Sequence, residues 1–464
     1  TVEEAYLLQR LVRGLGSPHV DHRLRQCDFS GDSEDPVWPG LGQPIVALEQ
    51  LDTVLLVGSN IRKEQPLLAH RLRQAVLAGA RVGAINPIDY PFVFDVHARS
   101  IGGAERMLEA LVAILKELNR QTGKPVPEGL EAWARDIVPT ADEARMAADL
   151  IRGKKKAILL GAAAFAHPRY ADLRALAVWL AQASGATLGY LPEANSAGAW
   201  LAGCVPHRGA GGASEERAGL PAHALWAAPR SAYMLLDVEP ELDAWAGGQA
   251  AKALEQAAFV VVLTPFAGVG EAYAHVQLPA APFTETDGTF VNCDGRWQQF
   301  EAAATPLGDT RAAWKILRAL GGMLKLPGFD FTALDGVRSR LAPVDAGPAA
   351  VGAMRVPQRG TATADLVYLF DLPPYRIDTL VRRSKPLQAT HDNPPPALRL
   401  HPAEALRRGL RAGERVLAST GGAGAVLAVV LDEQVPEGAA VAPAGYRETM
   451  SLTPYGALTL EKQS

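Results

Sequence analysis

His19, His22 and Cys27 stand close together in the sequence and are the side chains best spaced to share a metal ion. Neutral imidazoles and a thiolate suit zinc or another transition metal. No second pair follows at finger-like spacing, so hydrogen-bonded histidines and an isolated thiol are the simpler reading, and no metal is expected here. Cys204 and Cys293 lie far from Cys27, and three scattered thiols build neither a four-thiolate iron–sulfur cluster nor a paired-CxxC zinc site. The same scatter argues against a disulfide framework and suits a reducing compartment. The chain contains no G-x-S-x-G elbow, no P-loop and no recognisable Ser/His/Asp signature, so no catalytic residues are assigned.

Two further groups could bind a ligand. Gly58-Ser59-Asn60 closes the apolar run Thr53–Val57, and Asn86-Pro87 closes the run Arg81–Ile85. Ligands of open α/β sheets bind at the carboxyl ends of strands. Neither the Gly58 turn nor Gly161-Ala-Ala-Ala-Phe165 has G-x-G-x-x-G spacing, which makes a plain strand-to-helix turn the simpler reading. The third group is Asp287-Gly288 and Asp294-Gly295 around Thr289–Asn292, which predicts a tight hairpin over 284–297. A positive φ is expected at Gly288, with Phe290 anchoring the segment in the core. Thr286 and Asn292 are expected to satisfy turn backbone groups.

The elements that must position these residues alternate between strand and helix. Pro66 can open a helix whose face is Leu68, Leu72, Ala75 and Val76, and Gly79 can stop it. A later helix carries Leu108, Leu111, Leu115 and Leu118. After the run Lys154–Lys156, a strand at Ala157–Leu160 and a helix with Leu173, Leu176 and Leu180 repeat the pattern, and strands are predicted near Tyr233–Leu236 and Phe259–Leu263. Such alternation predicts parallel sheets covered on both faces. Residues 209–219 are Gly-rich and read as a mobile loop, and 326–362 reads as Gly-, Pro- and Ala-rich connector. Short strands at Glu414–Ser419, Ala425–Leu431 and Ala439–Pro443 predict a small β-barrel. The implied division is 1–150 and 151–283 as α/β domains, 284–325 as a returning hairpin segment, 326–384 as connector and 385–464 as β-barrel.

Composition narrows the possibilities. The 464 residues are 48% hydrophobic and 21% charged, with net charge −4. Nothing in that balance suggests nucleic acid or an anionic membrane surface as partner. No apolar run approaches the roughly 20 residues needed to span a bilayer, so no direct membrane insertion is expected. Thr1 opens the chain inside an amphipathic pattern (Leu8, Leu11, Val12, Leu15), and the chain reads as a fragment.

Segments along the chain resemble, in order, the molybdopterin oxidoreductase superfamily. Val57–Asn60 with Pro66–Arg73 and Gly79–Pro87 is similar to its first Rossmann-like half. Glu285–Asn292 with Gly295–Gln298 is similar to its late glycine hairpin, and Leu400–Ala405 with Gly409-Leu410 and Gly413–Val416 resembles the opening of its C-terminal double-psi β-barrel. The resemblance implies an α/β fold of formate dehydrogenase/DMSO reductase type. Val20–Gln26 with Asp28-Phe29, and Leu380–Thr390, further resemble the large iron–sulfur subunit of NADH:quinone oxidoreductase. In formate dehydrogenase-like relatives a Cys or selenocysteine ligand to molybdenum follows a similar Asp-His-x-x-Arg-x run and precedes a His. Here Cys27 is followed by Asp28-Phe29-Ser30-Gly31.

The resemblance therefore implies a non-catalytic scaffold, with iron–sulfur clusters in an N-terminal portion not included here and no cofactor and no metal in this segment. A vestigial pterin-like pocket would gather Cys27, Gly58, Ser59, Asn60, Asn86, Asp287, Gly288 and Asn292. Other peripheral-arm subunits would be the partners, on the cytoplasmic face of a bacterial inner membrane. A catalytic molybdopterin oxidoreductase of formate dehydrogenase type and a soluble nucleotide-binding enzyme are the alternatives.

Overall fold

The computed structural model describes residues 1–341, 355–360, 364–422 and 424–463. Five strands form the first parallel sheet: β1 (Thr53–Val57), β2 (Arg81–Asn86), β3 (Ala98–Ile101), β4 (Lys156–Leu160) and β5 (Thr187–Tyr190), in the order β3-β2-β1-β4-β5. All five side chains of β1 are buried, as a strand covered on both faces requires. One face carries the helix Pro66–Leu77, whose Leu68, Ala69, Leu72 and Ala75 pack into a core with Val54, Leu56 and Val82. The other face carries Ala104–Thr122 and Tyr170–Ser184, with Leu108, Leu111, Leu115 and Leu118 buried among Leu55, Ile85 and Ile158. Each such leucine contributes on the order of 2 kcal/mol by leaving water.

The expected boundary at 150/151 runs through this sheet, because β4 and β5 pair beside β1. Lys154–Lys156 is a charged lead into a central strand rather than a link between domains. A second, three-stranded parallel sheet follows, β6 (Ala232–Leu236), β7 (Phe259–Thr264) and β8 (Val276–Pro279). β9 (Gly288–Val291) and β10 (Trp297–Phe300) form the expected hairpin, with Val291 opposite Trp297 and Gly288 opposite Phe300.

The β-rich C-terminal unit has six strands: β11 (Val367–Asp371), β12 (Ala397–Leu400), β13 (Arg415–Ser419), β14 (Gly424–Leu431), β15 (Ala439–Pro443) and β16 (Thr459–Lys462), ordered β11-β15-β12-β14-β13-β16. The residues just before β16 return to the opposite edge: Tyr455 N–H donates to Tyr368 O at 2.7 Å, Tyr368 N–H to Gly456 O at 3.0 Å, and Leu458 N–H to Leu366 O at 2.8 Å. These bonds close the sheet upon itself. β11 falls inside the stretch read as connector, where a short aliphatic run was masked by Gly- and Pro-rich surroundings. Residues 342–354 and 361–363 of that connector lie outside the described residues.

Candidate functional site

The sheet order reverses between β1 and β4, the switch point at which such sheets form their ligand crevice, and here the two turns touch, Ala163 N–H donating to Gly58 O at 2.9 Å. Gly58-Ser59-Asn60 forms one wall and Gly161-Ala162 the other. Gly58 has φ +61°, and a Cβ there would lie 2.3 Å from the Ala164 nitrogen. A Cβ on Gly161 would lie 2.4 Å from the Ser59 Cβ, so glycine is needed on both walls. Asn86, at the end of β2, clamps the Ser59 peptide: its Oδ1 accepts from Ser59 N–H at 2.7 Å and its Nδ2 donates to Ser59 O at 3.2 Å. The buried Ser59 Oγ and Asn60 Oδ1 have no partner. Asn60 N–H donates to Glu64 Oε1 at 3.1 Å.

Cys27 lies at the far end of the short helix Ala162–Phe165 that leaves the Gly161 turn. Its thiol faces the carbonyls of Ala166 and His167, both at 3.8 Å. Burial, reinforced by Asp28, pushes the thiol up to about 12, so it stays protonated at neutral pH. His167 is fully buried, its Nε2 donating to Ala104 O at 3.0 Å while Nδ1 accepts from Arg169 N–H at 2.9 Å. Desolvation lowers it to about 4 and keeps it neutral. The Tyr455 ring approaches that of His167 at 5.9 Å, bringing the C-terminal unit over this end of the first sheet.

Gly58, Ser59, Asn60 and Asn86 therefore come together, with Cys27 one short helix away. Asp287, Gly288 and Asn292 do not join them, because the hairpin packs on the helix Val2–Gly14 instead. Gly288 has no positive φ; a Cβ there would meet Thr1 Cγ2 at 2.2 Å, so glycine is required for space. Phe290 is only half-buried and tilts against Phe300, with ring centroids 4.8 Å apart, while Thr289 takes the buried place expected of it. Asn292 Oδ1 accepts from Arg296 N–H at 2.8 Å and Thr286 Oγ1 donates to Asp287 O at 3.1 Å, both as expected of turn residues. His22 is engaged by Cys204 O and Ser196 Oγ at 2.9 and 3.0 Å. His19 Nδ1 accepts from Leu220 N–H at 3.0 Å. Among the described residues no group of three His, Cys, Asp or Glu side chains is arranged to hold a metal ion.

The sequence did not single out a network below the second sheet. After β6 the chain presents Glu239 and Asp243. Arg382 donates to Glu239 at 2.9 Å and to both Asp243 oxygens at 2.9 and 3.0 Å, Arg383 to Glu239 at 2.7 Å, and Arg25 to Asp243 at 3.0 Å. The adjacent Arg-Arg pair was the available signal, but a carboxylate partner some 140 positions away leaves no local trace. Glu64 was also missed, since a capping box places its acid three residues after the cap and this one stands four after Asn60.

Comparison with known proteins completes the picture. A family model described as Molybdopterin oxidoreductase matches residues 1–323, and one described as Molydopterin dinucleotide binding domain matches 373–463. The chain is 28% identical over 368 residues to an NADPH-Fe(3+) oxidoreductase subunit alpha of Geobacter sulfurreducens, a match covering 69% of this chain and 44% of that one. It is 41% identical over 101 residues to a putative formate dehydrogenase of Staphylococcus aureus, covering 20% and 10% respectively. The chain thus spans less than half the length of these relatives. Its fold is similar to that of acetylene hydratase from Pelobacter acetylenicus, with TM-score 0.60 at 14% identity over 95% of this chain and 77% of that one. The dinucleotide-binding match overturns the expectation that this segment carries no cofactor: the family points to a molybdopterin held here. At this switch point the unpartnered Ser59 hydroxyl and the Asn60 N–H, now taken by Glu64, are the donors that fit an anionic group. By fold and by the match over most of its length, this chain belongs to the molybdopterin oxidoreductase family.

Proposed function

We propose that the chain is the molybdopterin-fold part of the large subunit of an NAD(P)H-oxidising electron-transfer complex of the NADH:quinone oxidoreductase kind. In that complex it would lie peripherally on the cytoplasmic face of a bacterial inner membrane and dock neighbouring peripheral-arm subunits. No helix among the described residues is long and apolar enough to cross a membrane, which fits a peripheral place. When bound, a molybdopterin supplies a dithiolene-held metal able to exchange electrons or oxygen atoms. The Ser59 hydroxyl would donate to its anionic part, and Asn86 fixes the Ser59 peptide.

The observation that carries this reading is the ion-pair network. The two stretches that resemble the NADH:quinone oxidoreductase subunit, Val20–Gln26 and Leu380–Thr390, meet in space: Arg25 from one and Arg382 from the other both bind Asp243. Two sequence features with no local reason to occur together thereby acquire a joint structural role. The kinship with a subunit of an NADPH-linked oxidoreductase supports the same reading.

Cys27 favours a second reading, formate dehydrogenase-type catalysis, since its thiol is placed beside the crevice rather than in a remote core. Purification of the tagged chain with its native partners separates the two. The proposal expects co-purifying NAD(P)H-oxidising subunits and NAD(P)H-dependent reduction of a quinone or ferric acceptor. Formate oxidation by the preparation, without NAD(P)H oxidation, would overturn it.

A further inference from the structure

The ion-pair network below the second sheet borders a groove of about 700 Å³ that is open to solvent. Residues 239–242 form one side of it and the C-terminal unit forms the other. Its lining carries four arginines, Arg376, Arg382, Arg383 and Arg447, against two carboxylates, Glu239 and Glu448. Glu239 is taken by Arg382 and Arg383, and Arg382 also serves Asp243. Among the described residues neither Arg376 nor Arg447 pairs with a carboxylate. The groove thus keeps two uncommitted cations against one exposed acid, Glu448, in a chain whose net charge is −4.

Arg376 is fixed in place by its surroundings. Its guanidinium lies 3.9 Å from the centroid of the Tyr446 ring, and its Nε donates to Asn393 Oδ1 at 2.9 Å. Asn393 is buried, and its Nδ2 donates in turn to Gln388 O at 3.1 Å. The Tyr446 hydroxyl donates to Pro394 O at 2.6 Å. Gly445, at φ +77°, lets the two stretches of chain approach, since a Cβ there would lie 2.8 Å from the Arg376 Cβ. The terminal nitrogens of Arg376 bond no carboxylate and no backbone oxygen. A guanidinium held flat in this way offers the forked face that matches a carboxylate. Its rotamer freedom is already lost in the fold, so little more is lost when an anion binds.

Pro394-Pro395-Pro396 makes a stiff stretch of the wall and carries no N–H, so charge rather than strand pairing must select the occupant there. Small-molecule sites enclose most of the ligand surface, whereas this groove is open along its outer side. An acidic stretch of polypeptide, anchored elsewhere, matches both the charge and the openness.

We propose that this groove docks an acidic segment of a neighbouring subunit, with Arg376 as the fixed anchor and Arg447 as the exposed charge that attracts it. The inference rests on the reading of the chain as one subunit of a larger electron-transfer complex. It goes further in naming the face that takes a partner and the chemistry of that partner.

The test is fluorescence anisotropy of labelled hexaglutamate titrated with the purified chain at low salt, with neutral hexaglutamine as the control peptide. Wild type is compared with Arg447→Glu, Arg376→Gln and Arg73→Glu, the last on the outer face of the helix Pro66–Leu77. Hexaglutamate should bind, hexaglutamine should not, and added salt should weaken the complex. Arg447→Glu and Arg376→Gln should each weaken binding at least about ten-fold, while Arg73→Glu should stay within about two-fold. Arg447→Glu and Arg73→Glu change the net charge equally, so equal losses in the two would reduce the effect to the general field of the protein and overturn the proposal. Absence of hexaglutamate binding to wild type would overturn it as well. Citrate displacing hexaglutamate at equal or lower concentration would show a small-anion site only, and the docked segment would fall. If Arg376→Gln does not fold, Arg447→Glu decides alone, because the Arg447 side chain makes no hydrogen bond or ion pair among the described residues. Peptide binding by a protein whose native preparation oxidises no NAD(P)H would sink the functional reading and leave the groove standing. No peptide binding by a protein whose preparation does oxidise NAD(P)H would do the reverse.

Discussion

The buried carboxylate of Glu3 accepts two hydrogen bonds from Thr289, one from its backbone N–H at 2.9 Å and one from its hydroxyl at 2.6 Å. Arg338 adds a third contact at 2.9 Å. The hairpin is thus fastened to the first helix by a charge with no exposure to solvent. Glu3→Leu would strand the buried Thr289 donors and one arginine, at a cost of about 3 kcal/mol. Urea unfolding of both proteins measures it, and an unchanged midpoint would show that the hairpin is held by other contacts.

Gly288 and Cys27 should respond oppositely to substitution. Gly288→Val forces side-chain atoms onto Thr1 and Phe300 in a packed site, which should cost about 1–3 kcal/mol. Cys27→Ser keeps the shape and forfeits only weak S–H contacts at 3.8 Å, so its melting temperature should stay within a degree or two, on the order of 0.5 kcal/mol. Thermal melts that rank the two the other way would contradict the packing described for the hairpin.

His167 should make the protein acid-sensitive. Its folded value lies near 4 against an ordinary 6.5, so the unfolded chain binds the extra proton between those limits. The stability His167 contributes is fully present above about pH 6.5 and is lost as pH falls towards 4, at most about 3 kcal/mol in all. His167→Gln should flatten the pH dependence of stability across that window. An equally steep fall in the variant would assign the acid sensitivity to other groups.

Arg382 and Arg383 are adjacent but should not be equivalent. Arg382 is almost wholly buried and serves both Glu239 and Asp243, whereas the Arg383 side chain keeps about a third of its exposure. Arg382→Met should therefore cost about 3–5 kcal/mol by leaving buried carboxylates short of partners. Arg383→Met should cost about 1 kcal/mol, since Arg383 is partly solvated and Glu239 keeps its bond to Arg382. Equal denaturation midpoints for the two variants would refute this difference.

The elements that can be read in the sequence are those whose reason is local. The run Thr53–Val57, the proline opening Pro66–Leu77 and the periodic leucines of Ala104–Thr122 each appear where their patterns place them. Gly58, Ser59, Asn60 and Asn86 were likewise legible, because strand ends in such sheets converge. What escaped was set by distance. β4 joins β1 across about a hundred residues, and the charged run before it suggests a boundary where the fold has none. Gly288 was expected to need a special φ and instead needs empty space, which only the position of Thr1 reveals. The absence of G-x-G-x-x-G is no bar to a cofactor, which the two family matches indicate without that spacing.

The return of residues 455–458 to β11 has a consequence for how the chain acquires its shape as it is made. β11 emerges early, yet its edge partner arrives nearly ninety residues later. Until then Leu366, Tyr368 and Leu369, all buried in the finished fold, have an unpaired strand edge beside them. The first sheet, complete once β5 has appeared, can settle during synthesis, whereas the C-terminal unit must wait for its own last strands. A ribosome that pauses between β11 and β16 would therefore hold out a sticky aliphatic edge, and this interval is where the nascent protein most needs a chaperone.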